Sequence, residues 1–176
     1  VGFLLVAMCW PIRQQFFMSP QQLLQWIYGP SPFGESRVVA KRLAEITKPD
    51  DYVYVLGTEQ QILYYAKRLN SSRFITDAPL TLYSPMQQRY NNENKVELQD
   101  HPPQAIVLEM KETYLWQEQN NPNSVMPTVL NMIKANYQLV GGFVWDNSSG
   151  YWQEPMTQQS QINNSSFFFS INNSSI

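Results

Sequence analysis

Hydrophobic and polar positions alternate along the middle of the chain with two periods. In residues 35–48, Val38, Val39, Leu43 and Ile46 fall on one helical face while Lys41, Arg42 and Glu45 fall outside it, which predicts an amphipathic helix. Pro49-Asp50-Asp51 ends it. The run Tyr52–Leu56, YVYVL, is β-branched and aromatic and closes on Gly57, as a strand running into a turn does. Thr58-Glu59-Gln60-Gln61 has capping-box spacing, with Thr58 placed to cap the amide of Gln61, and Ile62, Leu63, Ala66 and Leu69 turn inward on the helix that follows. Residues 73–76 read as a second short strand. Ser84-Pro85-Met86-Gln87 starts another helix, with serine as cap and proline in the first turn.

After His101-Pro102-Pro103 breaks the chain, residues 105–110 form a third predicted strand. Residues 125–135 follow as a helix with Val129, Leu130 and Ile133 inward, and residues 137–145 as a last long strand. Asn147-Ser148-Ser149-Gly150 turns that strand back into residues 151–154, an antiparallel edge hairpin. Helices alternating with strands across short loops predict an α/β fold, a three-layer α/β/α domain with a mostly parallel sheet. Strand order is not readable from this pattern.

The two ends break the alternation. Residues 1–12, VGFLLVAMCWPI, are apolar throughout and are followed by Arg13. Twelve residues rise about 18 Å as a helix, against a hydrocarbon core of about 30 Å. Two readings stay open: a buried first helix or strand, or the end of a transmembrane helix that begins before Val1. Trp10, Arg13, Phe16, Phe17, Trp26 and Tyr28 favour the second, because amphipathic rings and a snorkelling arginine suit a membrane interface. The expected organisation is therefore a membrane-helix end over residues 1–13, an interfacial linker over 14–34, an α/β domain over 35–155 and a tail over 156–176. Pro30-Ser31-Pro32 should stiffen the linker into a fixed elbow. The tail is Gln, Asn and Ser around Phe167-Phe168-Phe169 and reads as disordered.

Composition narrows the chemistry. With 176 residues and 20.5 kDa the chain suits one domain. A net charge of −2 leaves no basic surface for a nucleic-acid backbone, so no nucleic-acid partner is expected. A single cysteine, Cys9, excludes an internal disulfide framework and a multi-cysteine zinc site. A single histidine, His101, leaves no second imidazole for a zinc protease or a two-histidine metal centre.

In an open parallel sheet, ligands bind beyond the carboxyl ends of the strands. There the sequence places Gly57, Thr58 and Glu59, then Thr76 and Asp77, then Glu109. Glu59, Asp77 and Glu109 are candidates for a metal or acid–base cluster. Against this, Glu59 near a helix start has a dipole explanation and the others read as loop charges. Gly57-Thr58-Glu59 lacks the spaced glycines of a dinucleotide loop, and there is no Walker lysine. No catalytic, cofactor or metal ligand is assigned from these patterns.

One stretch is more specific. Tyr28 to Ser36, YGPSPFGES, resembles the segment after the last transmembrane helix in bacterial membrane glycosyltransferases of the family 39 type, relatives of dolichyl-phosphate-mannose–protein mannosyltransferases. Tyr28, Gly29, Pro32, Phe33, Glu35 and Ser36 match, and Ser31 stands where the family has asparagine. The likeness continues at Val55-Leu56-Gly57-Thr58-Glu59-Gln60-Gln61-Ile62, at Tyr64-Tyr65 and Lys67-Arg68, and at Phe74-Ile75-Thr76 and Pro79-Leu80. It resumes at Met86-Gln87-Gln88, at residues 103–107 and at Tyr137-Gln138-Leu139-Val140-Gly141. Asp77-Ala78 departs from a segment that is usually aromatic, and the polar tail has no counterpart.

The resemblance implies a large multi-spanning enzyme that moves a sugar from a polyprenyl-phosphate donor to an acceptor outside the cytoplasm. Its catalytic aspartate lies in an early extracytoplasmic loop, so no catalytic residue carries over to this segment. The implied role is an extracytoplasmic, periplasm-side domain of a plasma- or inner-membrane protein. Its partners would be the membrane and, through the parent enzyme, the lipid-linked donor. Tyr28, Glu35, Glu59, Asp77 and Glu109 are the substrate-side candidates. No cofactor is expected in the segment, and a divalent metal in the parent stays open. An independent ligand-binding or enzymatic α/β module and a structural assembly domain are the competing readings.

Overall fold

The computed structural model describes residues 16–28, 33–109, 123–146, 149–155 and 165–172. The chain divides into two units, Val1–Gly34 and Glu35–Ile176. In the first, helix α1 (Pro20–Tyr28) opens on a capping box that the sequence reading passed over. Ser19 N–H donates to Gln22 Oε1 at 2.9 Å and Gln22 N–H donates to Ser19 Oγ at 3.3 Å, with proline at the first helical position. Phe16, Phe17, Trp26 and Ile27 are exposed. Residues 1–13, expected to end a membrane helix, and residues 29–32 of the expected elbow lie outside the described residues. No described helix is long and apolar enough to cross a membrane.

The second unit is a mixed α/β domain. Its elements run α2 (Phe33–Ile46, from Glu35 onward in this unit), β1 (Tyr52–Leu56), α3 (Gln61–Ala66), β2 (Leu69–Asn70), α4 (Ala78–Thr81), α5 (Gln87–Asp100), β3 (Ala105–Glu109), α6 (Met126–Asn136), β4 (Tyr137–Asp146), β5 (Ser149–Gln153) and β6 (Ser165–Asn172). They form one six-stranded sheet in the order β2-β1-β3-β6-β4-β5. Strands β2, β1 and β3 are parallel, with Val53 opposite Ala105 and Val55 opposite Val107. Because side chains alternate along a strand, β1 and β3 bury both faces. Val53, Val55, Ala105 and Val107 pack with Val39, Leu43, Ile62 and Ala66 of α2 and α3. Tyr54, Leu56 and Ile106 pack with Leu80, Leu98 and Val129 of α4, α5 and α6. Helices therefore cover both faces of the parallel strands.

The expectation of a mostly parallel sheet is corrected by β6, β4 and β5, which are joined by antiparallel pairing. The expected β4–β5 hairpin is present, with Phe143 opposite Trp152. The strand β6 is the larger correction, since residues 165–172 lie in the segment expected to be disordered. Their backbone pairs on both sides, Val107 opposite Phe169 and Gly141 opposite Phe169 across the strand. A slot with a ladder at each edge satisfies N–H and C=O groups whatever the side chains, so a polar composition does not prevent strand formation there.

Local signals also shifted. Residues 73–76 are not a strand; the second parallel strand is Leu69–Asn70, four residues earlier. Helix α3 stops at Ala66 because Lys67 turns left-handed, at φ 54°, and Arg68 N–H donates back to Leu63 O at 3.0 Å. Leu69 is thus in a strand and half exposed, not on the inner helix face. The Asn70 side chain then accepts from Ser72 N–H and donates to Phe74 O, a turn that ends β2. Neither predicted capping box after residue 50 forms: α3 is flanked by Gln60 and α5 by Met86, both without a side-chain cap.

Candidate functional site

The carboxyl end of β1 runs into Gly57, Thr58 and Glu59, and that of β3 ends on Glu109. Because the two strands are adjacent and parallel, with Leu56 opposite Leu108, these ends meet. Glu109 Oε2 accepts from Thr58 N–H at 2.8 Å, from Glu59 N–H at 3.3 Å and from Thr58 Oγ1 at 3.4 Å. This carboxylate holds the Thr58 and Glu59 amides, not the Gln61 amide that Thr58 was expected to cap, so the turn is shaped by a strand 50 residues away. Gly57 makes room for it. A Cβ at position 57 would lie 2.4 Å from Glu109 Oε2, and the backbone there sits at φ 153°, where other residues are strained.

Beside this turn, the start of α2 meets the start of α3. Ser36 Oγ donates to Glu59 Oε2 at 2.9 Å. Gln61 Nε2 donates to the same carboxylate oxygen and lies 3.4 Å from Ser36 Oγ. Ser36 is fully buried, and Glu35, Glu59 and Glu109 are each at most 6% exposed. Charges this deep are held by directed hydrogen bonds, and removing one donor leaves a buried carboxylate under-solvated. The Ser36 hydroxyl is oriented toward a carboxylate, yet full burial denies it a substrate unless α2 separates from α3. The arrangement is suited to fixing geometry at the end of the sheet.

Of the five residues singled out in the sequence, the structure brings Glu59 and Glu109 together and buries Glu35 in the first turn of α2, next to Ser36. Asp77 does not join them. It precedes α4, on the side of the sheet where Leu80 packs, and its charge acts on the Tyr54 hydroxyl. Tyr28 closes α1, in the other unit, and its side chain lies outside the description. Among the described residues no three acidic, histidine or cysteine side chains are placed to hold a metal ion. His101 stands beyond α5, its ring tilted against Tyr52 at 4.6 Å, away from these carboxylates along β1.

Ser36 and Gln61 were missed as site residues. The signal for both was present, since each sits at a predicted helix start beside a carboxylate. What no single-chain pattern supplies is that two helix starts 25 residues apart converge.

No family model matches the chain, and no curated protein or solved structure matches it significantly.

Proposed function

We propose that this chain is the extracytoplasmic domain of an integral-membrane glycosyltransferase that transfers a sugar from a polyprenyl-phosphate donor to an acceptor outside the cytoplasm. In this reading the domain is a three-layer α/β/α unit on the periplasmic side, joined to the membrane through residues 1–34. Its part in the reaction is positional, and the catalytic aspartate belongs to a segment before Val1.

One observation carries the proposal. Ser36 and the pair Glu59 and Gln61, from the two stretches that bear the clearest likeness to the family 39 type (Tyr28 to Ser36 and Val55 to Ile62), lie 23 and 25 residues apart in sequence and are hydrogen-bonded to one another. Residues that resemble a family's motif singly can match by chance. Contacts between such residues support giving them one structural role, the seating of α2 on the sheet end.

The test is the coding sequence upstream of Val1 together with a transfer assay. The expected result is a multi-spanning hydrophobic region with an aspartate in an early extracytoplasmic loop, whose replacement by asparagine abolishes sugar transfer in membranes. The absence of such a region overturns the proposal. Within the same full-length protein, Glu35→Gln distinguishes a substrate-facing first turn from a mechanical one. Reduced turnover with unchanged thermal stability supports contact with substrate, and unaltered turnover assigns the turn to anchoring.

A further inference from the structure

The segment that joins β2 to α5 carries an exposed apolar tip. Ile75 and Tyr83 are 77% and 81% exposed, and Leu82 and Met86 are exposed as well. The segment is nonetheless firmly held. Phe74 meets Tyr90, in the first turn of α5, edge-on with ring centroids 5.7 Å apart. The buried Gln87 side chain donates to Leu80 O at 3.3 Å and to Thr81 O at 2.9 Å, which ties the two ends of residues 82–86 together. Val125 N–H also donates to Leu80 O, at 3.2 Å. A loop fixed in this way loses little conformational freedom when something covers its apolar side chains.

Its place in the fold indicates what covers it. Helix α5 runs from here to Asp100, just before β3 starts, so its first turn stands at the carboxyl end of the parallel strands. Helix α2 also starts at that end, where Ser36 reaches Glu59, and the chain enters the second unit there. The two ends of the sheet differ in charge. At the amino end Lys48, Asp50, Asp100 and Lys134 are exposed. At the carboxyl end Glu35, Glu59 and Glu109 are buried, as is Asp77 in the segment itself. The cations near the starts of α2 and α5, Arg37 and Arg89, are exposed. Hidden carboxylates, outward arginines and a tyrosine among apolar side chains complement the negative, amphipathic boundary of a lipid bilayer. A protein partner needs a broad complementary patch, about 800 Å² on each side, whereas a fluid bilayer closes around single side chains.

We propose that residues 75–86 form a membrane-contact surface, on which Ile75, Leu82, Tyr83 and Met86 enter the headgroup boundary of an anionic bilayer and the carboxyl end of the sheet faces the lipid. This contact is additional to the attachment through residues 1–34. It rests on the membrane location in the reading above and not on sugar transfer, which the region upstream of Val1 decides, so the two fail separately.

The test uses the 176-residue chain with Cys9→Ser, which leaves one introduced cysteine to carry a fluorescent label. Vesicles of phosphatidylcholine and phosphatidylglycerol are added, and flotation isolates the bound chain. There a nitrobenzoxadiazole label on Tyr83→Cys or Ile75→Cys should shift to the blue and be quenched by nitroxide-labelled lipid. The same label on Asp50→Cys, at the other end of the sheet, should emit as in water. Ile75→Ser should leave thermal unfolding unchanged, because the side chain is exposed, and weaken the lipid affinity read at position 83 about tenfold. Four results each overturn the proposal: a chain that does not float, a label at 75 or 83 that stays in water on the floated chain, an equal response at position 50, or undiminished affinity in Ile75→Ser. A blue shift at position 83 that needs no lipid and grows with chain concentration assigns the tip to a second copy of the chain, and overturns it too.

Discussion

The parallel strands β2, β1 and β3 and the antiparallel strands β6, β4 and β5 share one sheet but are built from different material. In β1 and β3 every position from Val53 to Leu56 and from Ala105 to Val107 is buried, and helices supply the contacts on both faces. In β4, Gln138 is exposed, while Leu139 and Val140 are half-buried. The strand must pass close to its neighbour at Gly141, where a Cβ would lie 2.7 Å from Gln153 O. Burial is unbroken through the centres of β1 and β3, whereas β4 runs from exposed at Gln138 to buried at residues 141–144, where Phe143 joins the core with Val140 and Trp152 packed against it. Side-chain burial is written in the residues of the strand itself. A ladder is a property of two strands together.

That difference can be tested by removing β6, where the largest effect is expected. Ending the chain at Pro155 leaves β4 and β5 paired only to each other and bares one edge of β3. Amide hydrogen exchange should accelerate more than tenfold in β4 and β5 while β1 keeps most of its protection, since a lone hairpin is marginal in water. Equal loss in β1 and β4 would show one cooperative sheet and erase the distinction. Ile106→Ala acts on the other group. Its side chain is fully buried in the centre of β3, so urea unfolding should report a loss of about 2–5 kcal/mol. The half-buried Leu139, changed to alanine, should cost clearly less.

Two tyrosines sharpen the comparison through pH. Burial is the main cause that pushes the Tyr54 hydroxyl well above its ordinary 10.0, and Tyr137, half-buried, is raised to about 12. A group whose folded-state pKa is raised contributes stability that is complete below its unfolded value and is lost as pH rises through the folded one. Both should therefore weaken the fold above pH 10, Tyr54 by up to about 1.4 kcal/mol for each pH unit. Alkaline denaturation followed by tyrosine absorbance should be delayed more by Tyr54→Phe than by Tyr137→Phe.

The smallest effect belongs to the one strong surface link from α2 to the end of β5. Arg42 Nε and Nη2 donate to the two carboxylate oxygens of Glu154 at 2.8 and 2.7 Å, and this bond is the main reason that Glu154 is held below its ordinary range. That contribution is present above the unfolded carboxyl pKa and is lost as pH falls through the lowered folded one. The pair is partly exposed and screened, so Arg42→Met should cost at most about 1 kcal/mol at neutral pH and nothing in acid.

The same division decides how much of the fold was legible. The strand Tyr52–Leu56 was readable to the residue, because burial on both faces demands an unbroken apolar run. Helix α6 and the β4–β5 hairpin were readable for similar local reasons. The strand β6 was not, because Ser165-Ser166 and Asn172 contribute backbone groups whose partners lie on β3 and β4. At the site, Glu59 and Glu109 could be proposed from their places at strand ends. Asp77 was misplaced because the second strand came four residues earlier than its composition suggested, which reassigned the loop after it. The Thr58 box failed for a related reason: spacing identifies a residue able to cap, and a distant carboxylate instead holds the Thr58 and Glu59 amides, with the helix starting at Gln61.

The position of β6 also bears on how the polypeptide is made. A ribosome releases β3 with its outer edge bare, and the strand that fills that edge is synthesised about 60 residues later, several seconds at typical elongation rates of about 5–20 residues per second. During that interval β3 offers an apolar row of unpaired N–H and C=O groups to any neighbouring chain, the geometry on which edge-to-edge aggregation feeds. A nascent chain that pauses between Glu109 and Ser165 thus has its stickiest surface showing, and yield in cells should respond to translation speed over that stretch more than to any side chain in the mature site.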